Sequence, residues 1–213
     1  MKSNSFDLKP GMKGFFFTCF KNRESKCTIE AYDLLNRFIK EEESIRDNKD
    51  LSIEEELRRE VEELKSKKNK KLISVKMHSV PCMIFVLISK MEEKPTEIIE
   101  SIFRDKIVVK HCQRVIPVDM MVYANMNDIQ KGLKDLIEGT KFGSTFAVIV
   151  EQRMNSSIVK PILIEMIASM IGTRARVDLK KPDTVVMIQI LRNVAGIALI
   201  NNYYGKSKLN LQK

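Results

Sequence analysis

Nine residues in the last third of the chain have the types and grouping of an anion-binding surface: Arg153, Asn155, Ser156, Lys160, Arg174, Arg176, Lys180, Lys181 and Arg192. Lysine and arginine neutralise phosphates, and a polyanion that meets several of them releases its condensed counterions. Backbone amides at the start of a helix over 158–171, beside Asn155 and Ser156, would add a further anion site. Arg174 and Arg176 alternate on an extended segment, which sets both on one face and makes them the strongest pair. Plainer roles compete. Ser156 or Ser157 is as readily a helix cap, Lys180-Lys181 a solvated turn, and Arg153 a partner for Glu151 or Asp178.

Other chemistries find little footing. The chain has no GxxxxGK[ST] loop for ATP and no GxGxxG for a dinucleotide. The short GTKFG of residues 139–143 is better read as a loop than as an acetyl-CoA pyrophosphate cradle. A nucleophilic triad would have to draw on His78 or His111, and neither sits in a recognised local motif. His111 beside Cys112 reads as structural. Cys19, Cys27, Cys82 and Cys112 show no C-x-x-C spacing, so four reduced intracellular thiols are expected rather than a metal or redox site. No cofactor, no metal and no small-molecule substrate of its own are expected.

Charge supports the polyanion reading. The net charge is +9, and residues 141–213 hold 11 Lys/Arg against 4 Asp/Glu, so +7 falls on the stretch that carries the candidate site. A basic face of this kind draws a polyanion, and nucleic acid is the usual one. No apolar run reaches the length of about 18 residues that a membrane helix needs, and the N-terminus lacks the apolar stretch of a secretory signal. Aromatic residues are only 7% of the chain and Trp is absent, so the core must be built mainly from Ile, Leu, Val and Met.

The elements that must position these residues can be read in order. GFFFTCF at 14–20 is a buried strand. Cys27, Ala31, Leu34, Leu35 and Phe38 repeat at helical steps. Residues 41–71 are dominated by charge and read as a solvated helix or a disordered insertion. Strands are predicted over 72–77 and 82–89, a helix over 96–106 after Pro95, and a strand somewhere in 107–118. The order β-α-β-β-α-β is ferredoxin-like. Residues 119–138 are helical in pattern, with a break near 125–127. A strand over 146–150, the apolar helix 158–171 and the strands 184–191 and 194–200 follow, the last two joined at Arg192-Asn193.

On Phe146–Val150, Arg153, Asn155, Ser156, Ser157, Val177-Asp178-Leu179, Pro182 and Val185–Ile190, the chain resembles the THUMP domain, an RNA-binding module of tRNA-modifying enzymes. GFFFTC, NRESKC at 22–27, EAYDLLN at 30–36 and YGKSKLNLQ at 204–212 resemble, more narrowly, the THUMP-domain adaptor proteins of eukaryotic tRNA cytidine N4-acetylation. The resemblance implies an α+β chain, with an N-terminal ferredoxin-like domain over 12–118 and a THUMP domain over 119–205. It implies a non-catalytic partner that holds serine and leucine tRNAs while a large RNA cytidine acetyltransferase forms N4-acetylcytidine in the D-arm. An intracellular, nuclear or nucleolar location is the matching expectation. A stand-alone tRNA-modifying enzyme and a protein-docking module with little RNA affinity are the alternatives.

Overall fold

The computed structural model describes residues 8–39, 72–77, 80–89, 94–105, 107–138, 140 and 142–212. The charged 41–71 segment and His78 lie outside the described residues. The chain forms two sheets in sequence. The first is built from β1 (Gly14–Cys19), β2 (Leu72–Lys76), β3 (Met83–Ile88) and β4 (Cys112–Val118), in the spatial order β2-β3-β1-β4 with every pair antiparallel. Helix α1 (Glu24–Asn36) follows β1, and α2 (Pro95–Arg104) precedes β4. That is the ferredoxin-like arrangement. β1 is central and buried along its whole length, because a strand covered on both faces has no polar side to show.

The sheet changes between Val118 and Met120. The second holds β5 (Met120–Tyr123), β6 (Thr145–Arg153), β7 (Arg176–Val177), β8 (Thr184–Leu191) and β9 (Val194–Asn201), in the order β5-β9-β8-β6-β7. β6 runs parallel to β8 and β7, while β8–β9 and β9–β5 are antiparallel. Helices α3 (Met126–Glu138) and α4 (Lys160–Ile171) supply the remaining helical layer, and a 3-10 turn, Gly172–Arg174, closes α4.

Strand period explains how one sheet serves two cores. In β8, Val186, Ile188 and Ile190 point toward α3 and α4, into a cluster with Ile129, Leu133, Leu163 and Ile167. The alternate residues Val185, Met187 and Leu191 join the core of the first sheet, with Phe15, Phe16 and Phe85. Gly196 marks the closest approach. A Cβ there would lie 2.9 Å from Val118 Cγ2 and 3.3 Å from the Phe16 ring.

Polar clamps cross the same seam. Arg114 on β4 pairs with Glu151 on β6 at 3.0 Å and donates to the Tyr203 hydroxyl at 3.2 Å. Gln189 donates to the other Glu151 oxygen at 2.8 Å. Lys206, buried just after β9, pairs with Glu100 on α2 at 2.8 Å and also donates to the Asn201 carbonyl. Asp119, at the sheet change, accepts from the backbone N–H and the hydroxyl of Thr96 at the start of α2. Burial pushes its carboxyl up to about 6, against the pull of those hydrogen bonds and of Lys94.

Two expectations need correcting. Residues 120–123 are a strand, not the start of a helix. MMVY is too short for its period to be decisive, and the open edge of β9 takes it, Met120 opposite Ile197. α3 starts only after Asn125, whose Oδ1 accepts the Asp128 N–H at 2.9 Å. Likewise α4 begins at Lys160 rather than Ile158. Val159 occupies the cap position without a side-chain bond, so neither Ser156 nor Ser157 caps the helix.

Candidate nucleic-acid interface

The nine candidate residues fall at opposite ends of β6. This strand has nine residues, or about 26 Å at the usual rise. Arg153, Asn155, Ser156, Lys160 and Arg192 gather at its C-terminal end. Arg174, Arg176, Lys180 and Lys181 gather at its N-terminal end, where β7 pairs beside Thr145 and Phe146.

At the C-terminal end one side chain organises the loop. Asn155 Oδ1 accepts from the amides of Ser157 and Ile158 at 3.1 and 3.2 Å, and its Nδ2 donates to the Arg192 carbonyl at 2.6 Å. Gln152 Nε2 braces the loop from below, bonding the Asn155 and Ile158 carbonyls. Asn155 is therefore a positioning residue. The anion site expected from amides near 158 is much reduced, because two of those N–H groups already serve Asn155 and Pro161 has none. Met154 and Arg192 both hold positive φ, at 51° and 52°, a conformation that costs non-glycine residues energy and tends to gather at functional loops. The Arg192 N–H donates to the Arg153 carbonyl at 3.1 Å, which fixes the hairpin turn against the end of β6. Ser156, Lys160 and Arg192 are exposed around this frame, and Arg153 is half-buried.

At the N-terminal end Asp178 has the organising role. Its Oδ1 accepts from the amides of Lys180 and Lys181 at 2.8 and 3.1 Å. Those bonds, the Lys181 amide first, hold its carboxyl below the ordinary value. The two lysines thus stand on a built turn. Asp183 similarly accepts from the Ser144 hydroxyl and the Thr145 amide, and is held low by them. Arg174 sits in the 3-10 turn rather than on an extended run, which corrects the expected geometry. The extended residue between it and Arg176 is Ala175, which is buried, and both arginines are exposed.

Among the described residues only Arg114 and Lys206 make ion pairs, both at the seam. Among the described residues no candidate cation makes an ion pair with a carboxylate; burial would raise the Glu151 carboxyl, but Gln189, Arg114 and then Arg153 pull it low, and the direct ion pair is with Arg114. The sequence reading also missed two exposed lysines, Lys131 and Lys134 on α3, which line a groove with Arg174. Their three-residue spacing was visible. Residues 72–140 carry 9 Lys/Arg against 9 Asp/Glu, and that balance concealed them.

Residues 123–199 match the THUMP domain. The chain carries a THUMP domain. Its span runs from the end of β5 through most of β9, and so includes both basic ends. Nearly the whole chain is similar to "THUMP domain-containing protein 1" of Mus musculus, at 26% identity over 97% of this chain and 65% of that protein. It is likewise similar to "tRNA acetyltransferase TAN1" of Saccharomyces cerevisiae, at 26% identity over 100% of this chain and 88% of that protein. A Schizosaccharomyces pombe protein of uncharacterised function matches at 23% identity over 97% of this chain and 77% of its own length. The chain thus spans about two thirds of its mouse relative. A Pyrococcus horikoshii protein of known crystal structure shares the fold, with a TM-score of 0.51 at 15% identity over 90% of this chain and 56% of that one. The mouse relative is named for a THUMP domain and the yeast relative for tRNA acetylation.

Proposed function

We propose that this protein is a tRNA-binding adaptor that presents tRNA, serine and leucine tRNAs in particular, to a separate large acetyltransferase for N4-acetylcytidine formation in the D-arm. The observation that carries this reading is the pair of unpaired cation sets at the two ends of the THUMP sheet. Set about 26 Å apart along β6, they cannot share one phosphate, but they can bracket a folded RNA. Recognition would be of shape, through phosphates and 2′-hydroxyls. The adaptor reading is also supported by the thiols. Cys112, the one cysteine beside a histidine, is buried with its Sγ 3.3 Å from Cys27 Sγ, and that contact together with burial pushes its thiol far up. Such a thiol is a poor nucleophile. By the same reading the protein works in the nucleus or nucleolus, which imaging of the tagged chain checks.

The test is reconstitution with this chain, the acetyltransferase and tRNA, each omitted in turn. Acetylcytidine should form efficiently only when all three are present. Equal acetylation without this chain would overturn the adaptor role. A second reading has one observation in its favour, the word acetyltransferase in the yeast relative's name. Under it the purified chain would bind acetyl-CoA and modify tRNA without a partner.

A further inference from the structure

The cations of the N-terminal end do not stop at the loops. Between α3 and α4 lies a groove of about 530 Å³, lined by Asn127, Gln130, Lys131, Lys134, Ile137 and one acid, Glu138, of α3, by Met170 of α4, and by Arg174 beyond it. Resting on the tRNA-binding reading above, we propose that this groove seats the sugar–phosphate backbone of a folded RNA, with Lys131, Lys134 and Arg174 on its phosphates.

Four features of the groove carry this. Lys131, Lys134 and Arg174 are exposed and make no ion pair. The acids one turn further along the helix, Asp135 for Lys131 and Glu138 for Lys134, follow the lysines in the less favoured order for pairing, and neither is engaged. The helix macrodipole does not account for these lysines either, since the last turn of α3 holds no basic residue. They stand on the solvent face of an amphipathic helix, open to a ligand. Next, Asn127, Gln130 or Lys131, and Lys134 follow one stripe of the helix at three- and four-residue steps. That stripe offers side-chain amides suited to 2′-hydroxyls beside ammonium groups suited to phosphates. Among the described residues no aromatic lines the groove, so stacking of splayed single-stranded bases, which uses aromatic platforms, is not what it is built for. Finally, the groove is continuous with the outer basic rim. Only buried Ala175 separates Arg174 from Arg176, and the Lys180-Lys181 turn follows. A cation track of that extent fits a long polyanion better than a short acidic peptide. Such a peptide would also want larger apolar anchors than Ile137 and Met170.

The experiment measures binding of the full chain to tRNA, to an RNA stem-loop, to a single strand of equal length and to a polyglutamate peptide, across about 50–200 mM salt. The variant is Lys131→Glu with Lys134→Glu. Lys26→Glu, an exposed cation on α1, controls for net charge, and Lys131→Arg with Lys134→Arg for charge retention. The expected result is a loss of about tenfold or more in tRNA and stem-loop affinity. The salt slope should become shallower by about 2, one unit per phosphate contact, with the arginine variant close to wild type. If the wild type binds tRNA and the double variant loses no more than Lys26→Glu, the groove assignment falls and the adaptor reading stands. If the wild type binds no tRNA, both fall. If polyglutamate binds more tightly than the stem-loop and the lysine reversal abolishes it, the groove serves an acidic protein and the RNA assignment is overturned. Arg174→Glu, outside the helix, repeats the test should the double variant lose its thermal transition.

Discussion

The seam between the two sheets and the rim of the second sheet use charge in opposite ways. At the seam every described charge has a partner. Arg114 holds Glu151, Lys206 holds Glu100, and Asp119 is met by Thr96. Two acids around the first sheet are closed in the same way. Glu30 accepts three successive amides, those of Lys110, His111 and Cys112, at 2.6 to 2.7 Å, and Glu24 accepts the Cys82 amide. At the rim the acids Asp178 and Asp183 are occupied with backbone and hydroxyl groups, which leaves the neighbouring cations unpaired. Charges used for folding are closed within the molecule, and those left open are available to a ligand. Changes at the seam should therefore cost stability, and changes at the rim should cost binding.

The largest effect is expected where the two sheets touch. Phe16 is buried, its ring 4.8 Å from Phe85 and against Gly196. Phe16→Ala should destabilise by about 3–5 kcal/mol through the cavity it leaves. Gly196→Ala should cost about 1–3 kcal/mol through overpacking on Val118. Urea midpoints check both. A neutral Gly196→Ala would mean that the sheets part easily and that the seam is not the stabilising contact described.

Asp119 gives the seam a pH signature. Its carboxyl lies at about 6 against an ordinary 3.8, so the folded state holds its proton more tightly than the unfolded chain does. The stability linked to this group is full below about pH 4 and is lost as pH rises through about 6. Glu30 and Glu151 are held low in the folded state and act in the opposite sense. Their support is present above the ordinary glutamate value and fades as pH falls through their lowered values. Asp119→Asn should therefore remove only the decline between about pH 4 and 6, some 2–3 kcal/mol by the size of the shift. Denaturant titrations of both proteins at several pH values check this, and parallel curves would show that Asp119 titrates normally.

At the rim the expected changes are in binding. Arg174→Glu with Arg176→Glu should weaken tRNA binding and lower the salt slope by about 2, while stability moves by less than about 0.5 kcal/mol. Arg153→Glu with Arg192→Glu probes the opposite end of β6, and filter binding compares the two. If both pairs lower affinity, one tRNA spans the sheet. If only one does, the site is confined to that end.

How much of this was legible in the sequence depended on whether distance along the chain carried the information. GFFFTC and TVVMIQIL announced central strands because burial on both faces leaves an unbroken apolar run. The β-α-β-β-α-β order followed from similar local signals. Met120–Tyr123 was not legible, since only pairing with β9 decides what four apolar residues become. The thiols were read one at a time, and their convergence at Cys27 and Cys112, 85 positions apart, has no local signal. The site residues were picked by type, and type carries no direction. Only the length of β6 shows that Arg153 and Arg176 stand far apart, and only the packing of α3 against α4 brings Lys131 toward Arg174.

Ser156 gives the smallest effect and the finest discrimination between a folding role and a binding role. Read from sequence, Ser156 or Ser157 is as readily a helix cap as an RNA contact, and replacing such a cap by alanine would cost about 1 kcal/mol. In the fold the cap position is Val159, and the Asn155 side chain, not Ser156, satisfies the loop amides. Ser156→Ala should therefore leave the thermal midpoint unchanged. Asn155→Ala should lower it, because it frees two amides and the Arg192 carbonyl at once. If Ser156→Ala also leaves tRNA affinity intact, the hydroxyl faces solvent and the C-terminal end of the interface consists of Arg153, Lys160 and Arg192 alone. If affinity falls while the midpoint holds, Ser156 contacts the RNA directly, and the rim extends to a residue that carries no charge.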